Sequence, residues 1–328
     1  MSSTQYPDRP QIILGTLSIG DASIDSEIRV STPEEVETYL GEFYNRGYRR
    51  LDTARLYPPS AFGTSEPRIG QANQDGRFEV DTKVASFAPG DHTMEKLRQS
   101  MEASIAALGP ATSIGIAYLH VPERTTPFAE TLEAMDALRK EGKFKKLGIS
   151  NYLREEVDQL MAICAEKQLE QPAAYQGCYN PITRELETDL LPCLRKHNIS
   201  FYAYSPAAGG VFSDEQRPDN RFKSKTIVGG MYAGMYKRPA IDAAVENVKK
   251  VSRAHGIAPH DAALRWTVYH SKLSGAHGDA VLLGASSVDQ LRKCLDAIEA
   301  GPLPQEVLDA LNSVGDALSE DDKKAIRY

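Results

Sequence analysis

Apolar positions along the chain switch repeatedly between two periods. Short runs such as Gln11–Gly15 (QIILG), Ile114–Leu119 (IGIAYL) and Ala280–Leu283 (AVLL) have the continuous apolar character of strands covered on both faces. Between them, apolar residues recur every three or four positions, the period of a helix with one buried face. Val36, Leu40 and Phe43 form one such stripe. Met94, Leu97, Met101, Ile105 and Leu108 form a second, and Phe128, Leu132, Met135 and Leu138 a third. The punctuation agrees with these periods. Ser31–Glu35 (STPEE) reads as a helix start, with Thr32 to cap, Pro33 at the first helical position and Glu35 to reach back. Gly47, Gly109-Pro110 and Gly142 stand where these three helices should stop.

The pattern predicts eight strands: Gln11–Gly15, Arg50–Asp52, Phe78–Lys83, Ile114–Leu119, Lys146–Ile149, Ala173–Gln176, Ser200–Ala203 and Ala280–Leu283. Their starts are roughly 30 residues apart, the length of a βαβ unit, until a longer last gap that holds extra helices. Such alternation means right-handed crossovers and a parallel sheet. Eight units suit a closed barrel better than an open doubly wound sheet, which would show G-x-G-x-x-G after its first strand; none follows Ile12–Leu14. The expected architecture is therefore α/β, a single (β/α)8 TIM barrel over residues 1–328. A long loop over 207–239 follows strand 7, and a C-terminal helix carrying Val307, Leu308, Leu311, Val314 and Leu318 packs on the barrel.

Composition narrows the class of partner. With 41% apolar and 25% charged residues, the 328-residue chain can bury a large core. A net charge of −7, with Lys and Arg scattered, leaves no basic face for nucleic acid. No apolar run approaches the ~18 residues of a membrane span. The start MSSTQYPDRP lacks the basic and apolar regions of a signal peptide. Cys164, Cys178, Cys193 and Cys294 show no C-x-x-C spacing, which fits reduced thiols and a cytoplasmic location. With no His-x-His or H-E-x-x-H ligand set, no metal is expected.

In a barrel, chemistry belongs at the carboxyl ends of the strands. The residues that follow the eight strands are Gly15-Thr16, Asp52, Lys83, His120, Ser150-Asn151, Gln176, Tyr204-Ser205 and Gly284-Ala285-Ser286. A lysine or histidine after one strand is usually structural. Here strands 2, 3 and 4 would aim Asp52, Lys83 and His120 at one space beside Tyr57, five residues beyond Asp52. A phenol with its ordinary pKa of about 10 is a reluctant acid at neutral pH, and a nearby ammonium favours its ionised form. Asp52 would hold Lys83 charged, and His120 would donate to a carbonyl oxygen as charge grows there. The implied reaction is carbonyl reduction with Tyr57 as proton donor. No side chain supplies a hydride, so a nicotinamide cofactor is required. Ser150, Asn151 and Gln176 suit a carboxamide, and Tyr204 offers a ring for stacking. In Ser205–Phe212 (SPAAGGVF), Gly209-Gly210 lets backbone N–H groups approach a phosphate. Ser287–Gln290 reads as a capping box, whose helix start could take a further phosphate or serve as a plain cap.

Several segments resemble the aldo-keto reductase superfamily: LDTARLY at 51–57, DTK at 81–83, YLH at 118–120, GISNY at 148–152, YQGCYN at 175–180, FYAYSP at 201–206 and GAHGDAVLLGASS at 275–287. EGKFKKLGISNY (141–152) and ALRWTVYHSKLSGAHGDAVLLG (263–284) resemble the aflatoxin-aldehyde and succinic-semialdehyde reductase branch in particular. The resemblance implies a catalytic tetrad of Asp52, Tyr57, Lys83 and His120. It also implies cofactor contacts from Gly15, Thr16, Ser150, Asn151, Gln176, Tyr204, Ser205, Pro206, Ala208, Gly210 and Gly284. Arg221, Ser286, Ser287, Gln290 and Cys294 fall at positions that meet the adenosine phosphate and select NADP(H). Tyr232, with Tyr57 and His120, would face a small-molecule carbonyl substrate, and branch relatives imply a homodimer. Two positions depart from the pattern. Met235 stands where the branch often has an arginine for a substrate carboxylate, which points to a neutral or bulkier carbonyl. Ala285 stands where many members have a basic residue. The same residues also permit an alcohol dehydrogenase running oxidatively, or an NADPH-binding regulatory subunit of the potassium-channel β type.

Overall fold

The computed structural model describes residues 6–213 and 227–326. Its centre is a closed barrel of eight parallel strands in sequence order: β1 Gln11–Gly15, β2 Arg50–Asp52, β3 Glu79–Val84, β4 Ser113–Leu119, β5 Lys146–Ser150, β6 Ala174–Cys178, β7 Ser200–Tyr204 and β8 Ala280–Gly284. Strand β1 closes the ring: Gly15 stands opposite Asp52 of β2 on one side and Gly284 of β8 on the other. The predicted strands are all present, shifted at some ends by one or two residues.

The outer ring follows the apolar stripes. Helix α1 (Pro33–Asn45) begins with the predicted reciprocal cap: Thr32 accepts from the Glu35 N–H, Glu35 accepts from the Thr32 N–H, and Val36, Tyr39, Leu40 and Phe43 are buried. Helices α3 (Met94–Leu108), α4 (Phe128–Lys140) and α5 (Arg154–Lys167) each bury an apolar face, but Met94, predicted in the α3 stripe, stands at the first helical position and is 41% exposed. Helix α2 (Ser65–Ala72) has no stripe to announce it, since Ile69 is its one large apolar residue. A Cβ on Gly70 would meet the carbonyl oxygens of Ala107 and Leu108 at 2.5 and 2.6 Å, so α2 lies directly on the end of α3. The helical stretch between β6 and β7 is divided. A 3-10 turn, Glu185–Glu187, precedes α6 (Leu190–Lys196), which Asp189 caps.

The segment expected as a loop over 207–239 is partly helical. A 3-10 turn at Ala208–Gly210 comes first, and α7 (Ile227–Tyr236) follows the undescribed residues. Helices α8 (Pro239–Ala254) and α9 (Pro259–Tyr269) occupy the long last gap, and α10 (Val288–Glu299) follows β8. The tail holds α11 (Gln305–Asp316), which buries Val307, Leu311 and Val314, and a short further helix, α12 (Glu320–Ile326).

One core cluster fills the layer between strands and helices. A second lies inside the barrel: Ile13, Ile116, Tyr118, Ala174, Tyr202, Ala280 and Leu282. That inner cluster includes neither Asp52 nor Lys83, yet both are buried, and their charges need partners.

Candidate active site

Asp52 ends β2, and each of its carboxylate oxygens has a fixed partner. Oδ2 accepts from Lys83 Nζ at 2.5 Å, and Oδ1 accepts from Gln176 Nε2 at 2.8 Å. Lys83 also donates to the Thr53 carbonyl at 2.8 Å, and its side chain is 1% exposed. Burial works against the ammonium, but Asp52 and the Tyr57 phenol outweigh it and hold the Lys83 pKa above its ordinary value. The buried lysine is a fixed positive charge.

Tyr57 stands on the loop above β2, its ring centroid 4.9 Å from Lys83 Nζ. Main-chain bonds sew that loop to the next strand: Thr53 N–H donates to Asp81 C=O at 2.8 Å and Arg55 N–H to Lys83 C=O at 2.9 Å. The far end is tied back by Ser65 N–H to Tyr57 C=O at 3.1 Å. An ion pair between Arg55 and the fully buried Glu66 fixes the fold of the loop, and Glu66 also accepts from Thr82 Oγ1 at 2.7 Å. The Tyr57-Pro58 peptide is cis. Burial raises the phenol pKa and Lys83 opposes it; in this structure burial wins, so Lys83 alone does not bring Tyr57 down to the neutral range.

His120, after β4, completes the cluster. Its ring meets Tyr57 edge to face, centroids 5.7 Å apart, and Phe87 at 5.1 Å. Its backbone is held on both sides, the N–H by Ser86 Oγ at 3.2 Å and the C=O by Asn151 Nδ2 at 3.1 Å. Burial, with Lys83 nearby, drops its pKa to about 3, so the imidazole is neutral and keeps one N–H to donate. Its Nδ1 is buried without a hydrogen-bond partner.

The other side of the barrel mouth carries the amide and hydroxyl groups. Asn151, with φ of 63°, bridges Ser150 Oγ (3.0 Å) and the Tyr204 hydroxyl (2.9 Å) as well as His120. Ser150 accepts from Asn151 and so keeps its own proton to donate outward. Tyr204, half-buried, presents a ring locked by its hydroxyl. Thr16, beside Gly15, donates through both N–H and Oγ1 to the Asp52 carbonyl, at 2.9 and 3.0 Å. Asn151 thus links this polar side to the His120 end of the cluster.

The sequence model of the aldo/keto reductase family matches residues 11–316, nearly the whole barrel. This chain belongs to that family. Among curated relatives, an aldo-keto reductase of Pseudocercospora fijiensis is 38% identical over 83% of this chain and 94% of its own length. Oxidoreductase sirO of Leptosphaeria maculans is 36% identical over 98% of both chains. Human aflatoxin B1 aldehyde reductase member 2 is 36% identical over 93% of this chain and 86% of its own.

In this aldo/keto reductase the phosphate-side residues are less uniform. Ser205 and Ala208 both have positive φ, and the Ser205 hydroxyl bonds that of Tyr232. Pro206 is buried, and its carbonyl accepts from Thr267 Oγ1 at 2.8 Å. Gly210 N–H donates to Ala207 C=O at 3.1 Å, so the Gly209-Gly210 turn is closed on itself. A Cβ on Gly209 would meet the Tyr232 ring at 2.7 Å, so packing by itself calls for glycine there. Tyr232 is buried, stacks on Tyr236, and is close enough to act on the ionisation of Tyr57.

At the start of α10, Ser287 accepts from Gln290 N–H at 3.2 Å, while Gln290 Oε1 accepts from Ser286 N–H and Oγ at 2.8 Å. The cap is built from three residues where two were predicted. Cys294 lies in the core with 1% of its surface exposed, and burial raises its thiol to about 12. Gly284 is exposed at the end of β8, and Arg221 lies outside the described residues. Arg292 is paired with Glu42 at 2.9 Å. Met235 packs against the core, so it brings no positive charge to the mouth.

Sequence reading missed Arg55, Glu66, Phe87 and the Thr53 carbonyl. LDTARLY contains Arg55, and only its neighbours were read as chemistry. Glu66, between Ser65 and Pro67, looks like an ordinary acidic first turn; its burial comes from the missed helix α2.

Proposed function

We propose that this aldo/keto reductase carries out NADPH-dependent reduction of an aldehyde or ketone to the alcohol, with Tyr57 as the proton donor. The observation that carries the reading is the convergence of a buried, charged Lys83 and a neutral His120 on the Tyr57 ring, with Nζ 4.9 Å and the imidazole centroid 5.7 Å from its centroid. When bound, the cofactor supplies the hydride to the carbonyl carbon. The chain's own residues do the rest. His120 donates an N–H to the carbonyl oxygen and orients it. As the C=O π bond gives way, Tyr57 passes its phenolic proton to that oxygen, and the phenolate left behind is stabilised by Lys83. Asp52 keeps the lysine charged. Burial raises the resting phenol pKa, which keeps Tyr57 protonated; the ammonium acts chiefly on the phenolate formed during transfer.

Ser150, Asn151 and Gln176 fit a carboxamide in residue type and position, and Tyr204 fits a ring stacked against it. The choice of NADPH over NADH rests on the hydroxyl and amide groups at the start of α10, together with Arg221. Met235, packed inward, supports a neutral or bulky carbonyl over a semialdehyde acid. The four cysteines are free and buried, which suits a reducing cytoplasm, and among the described residues no helix is long and apolar enough to cross a membrane.

The test is NADPH oxidation with a panel of aldehydes and dicarbonyls, alongside direct cofactor titration. Turnover with preference for NADPH is the expected result. Tight NADPH binding with no turnover on any substrate would overturn this reading in favour of a cofactor-sensing subunit.

A further inference from the structure

On the outer ring, far along the chain from the tetrad, Asp158 of α5 meets Cys193 and His197 of α6. Cys193 and His197 are four residues apart, so their side chains project from one face of the helix end, the spacing by which a helix offers two ligands to one ion. Asp158 Oδ1 lies 2.9 Å from His197 Nε2 and 3.6 Å from Cys193 Sγ, and the three donor atoms all lie within 4.8 Å of one another. Among the described residues no other trio of such donors comes together. A tetrahedral zinc with bonds of about 2.0–2.3 Å sets its donors roughly 3.3–3.7 Å apart, so small side-chain rotations suffice.

We propose that Asp158, Cys193 and His197 form a peripheral site for a borderline-soft divalent cation, zinc in the first instance, that ties α5 to α6. The donor set chooses the metal: one sulfur, one imidazole nitrogen and one carboxylate oxygen suit zinc, whereas magnesium and calcium take oxygen ligands. Cys193 is 6% exposed, while Asp158 and His197 are half-buried and leave the fourth position open to water. Asp158 is already ionised, its pKa lowered chiefly by the bond from His197. Arg154 holds its second oxygen at 3.1 Å and so orients the carboxylate. Burial keeps the Cys193 thiol protonated, so binding releases that proton to solvent as the metal–sulfur bond forms. Arg154 and Lys196, the latter 3.9 Å from Asp158, put positive charge beside the site. They favour moderate affinity, reversible as free zinc varies. Helices α5 and α6 follow the strands that end at Ser150 and Cys178, so an ion here would brace the outer wall behind the polar side of the mouth.

The experiment uses the full chain, freed of metal by a chelator, titrated with Zn2+ by calorimetry and with Co2+ by absorption. One ion per chain is expected, with thiolate-to-cobalt charge transfer in the near ultraviolet, and a Tm that rises with zinc. Cys193→Ser should abolish the charge-transfer band. His197→Gln, at a half-exposed position that tolerates change, should weaken binding more than the roughly tenfold that loss of an outer partner costs. It should also remove the zinc-dependent rise in Tm, while His255→Gln, elsewhere on the surface, leaves both unchanged. No binding by the wild-type chain would overturn the proposal and leave a hydrogen-bonded staple between two helices. Binding unaltered in His197→Gln would overturn it as well, since the ion would then sit elsewhere.

Discussion

Two buried ion pairs are stacked inside the barrel on the same two strands, with their charges exchanged. Strand β2 carries Arg50 below and Asp52 above; β3 carries Asp81 below and Lys83 above. In the lower pair Arg50 Nη2 meets Asp81 Oδ2 at 2.7 Å and Nη1 meets the Tyr202 hydroxyl at 2.9 Å, while Asp81 Oδ1 accepts from the Ile116 N–H at 2.9 Å. Each of these partners belongs to the barrel wall or its floor. The upper pair is buried more deeply, since Arg50 is 19% exposed while Lys83 and Asp52 are 1% and 3%, and Lys83 also faces the half-buried Tyr57 phenol. A buried ion pair is weak evidence of function by itself. What separates the two levels is how each phenol is held: the Tyr202 hydroxyl is tied to Arg50, whereas Tyr57 sits half-buried between the Lys83 ammonium and the His120 ring.

The comparison can be broken by mutation. Tyr57→Phe should cost the most, about 10²–10⁴ in kcat, with NADPH affinity measured by fluorescence nearly unchanged. Retained turnover would remove Tyr57 as the acid. Lys83→Met and Arg50→Met each strand a buried carboxylate, and each should lower stability by about 3–5 kcal/mol in denaturant melts. Only Lys83→Met should also lower kcat markedly, though by less than Tyr57→Phe. If Arg50→Met, assayed while still folded, loses activity to the same extent, the two levels are not functionally distinct. His120→Ala should lower kcat/KM by about 10² across substrates, as loss of an oxyanion-type donor does. Because burial holds His120 neutral down to about pH 3, this histidine should put no inflection in the wild-type profile between pH 5 and 8.

The smallest effect concerns Asp81. Burial, against the pull of Arg50, raises its pKa to about 6. Its unfolded value is about 3.9, so the folded state holds the proton more tightly. Its contribution to stability is therefore complete below about pH 4 and is lost as pH rises through 6, a change on the order of 1–3 kcal/mol. Asp81→Asn should flatten that part of the pH–stability curve relative to wild type. An unaltered curve would show that Asp81 ionises normally.

The sequence revealed much of this site because a parallel barrel turns order along the chain into order around a ring. Strand ends can be read one by one, and Asp52, Lys83 and His120 come from consecutive strands. Periodicity revealed the long helices for the same local reason. It failed for α2, which carries one large apolar residue, and for α7, whose glycines and aromatics make no stripe. Contacts across the ring were not legible either. Gln176 was read as a carboxamide group, but nothing within its own segment shows that it also grips Asp52. Cys294 was placed at the adenosine phosphate by the family resemblance alone, and that says nothing about which face of α10 meets the core. Gly209 was read as phosphate access, and its crowding by Tyr232 depends on a helix that the pattern did not show.

The Gln176–Asp52 bond joins strands 2 and 6 of eight, which lie opposite each other, so it works as a strut across the bore. If the barrel widens by even an ångström, that strut parts before the wall does. The group proposed to meet the cofactor's carboxamide and the group that steadies the lysine would then come apart in a single motion. In the proposed reaction, the delivery of hydride and the delivery of proton would thereby be set to one gauge, the diameter of the barrel at its mouth.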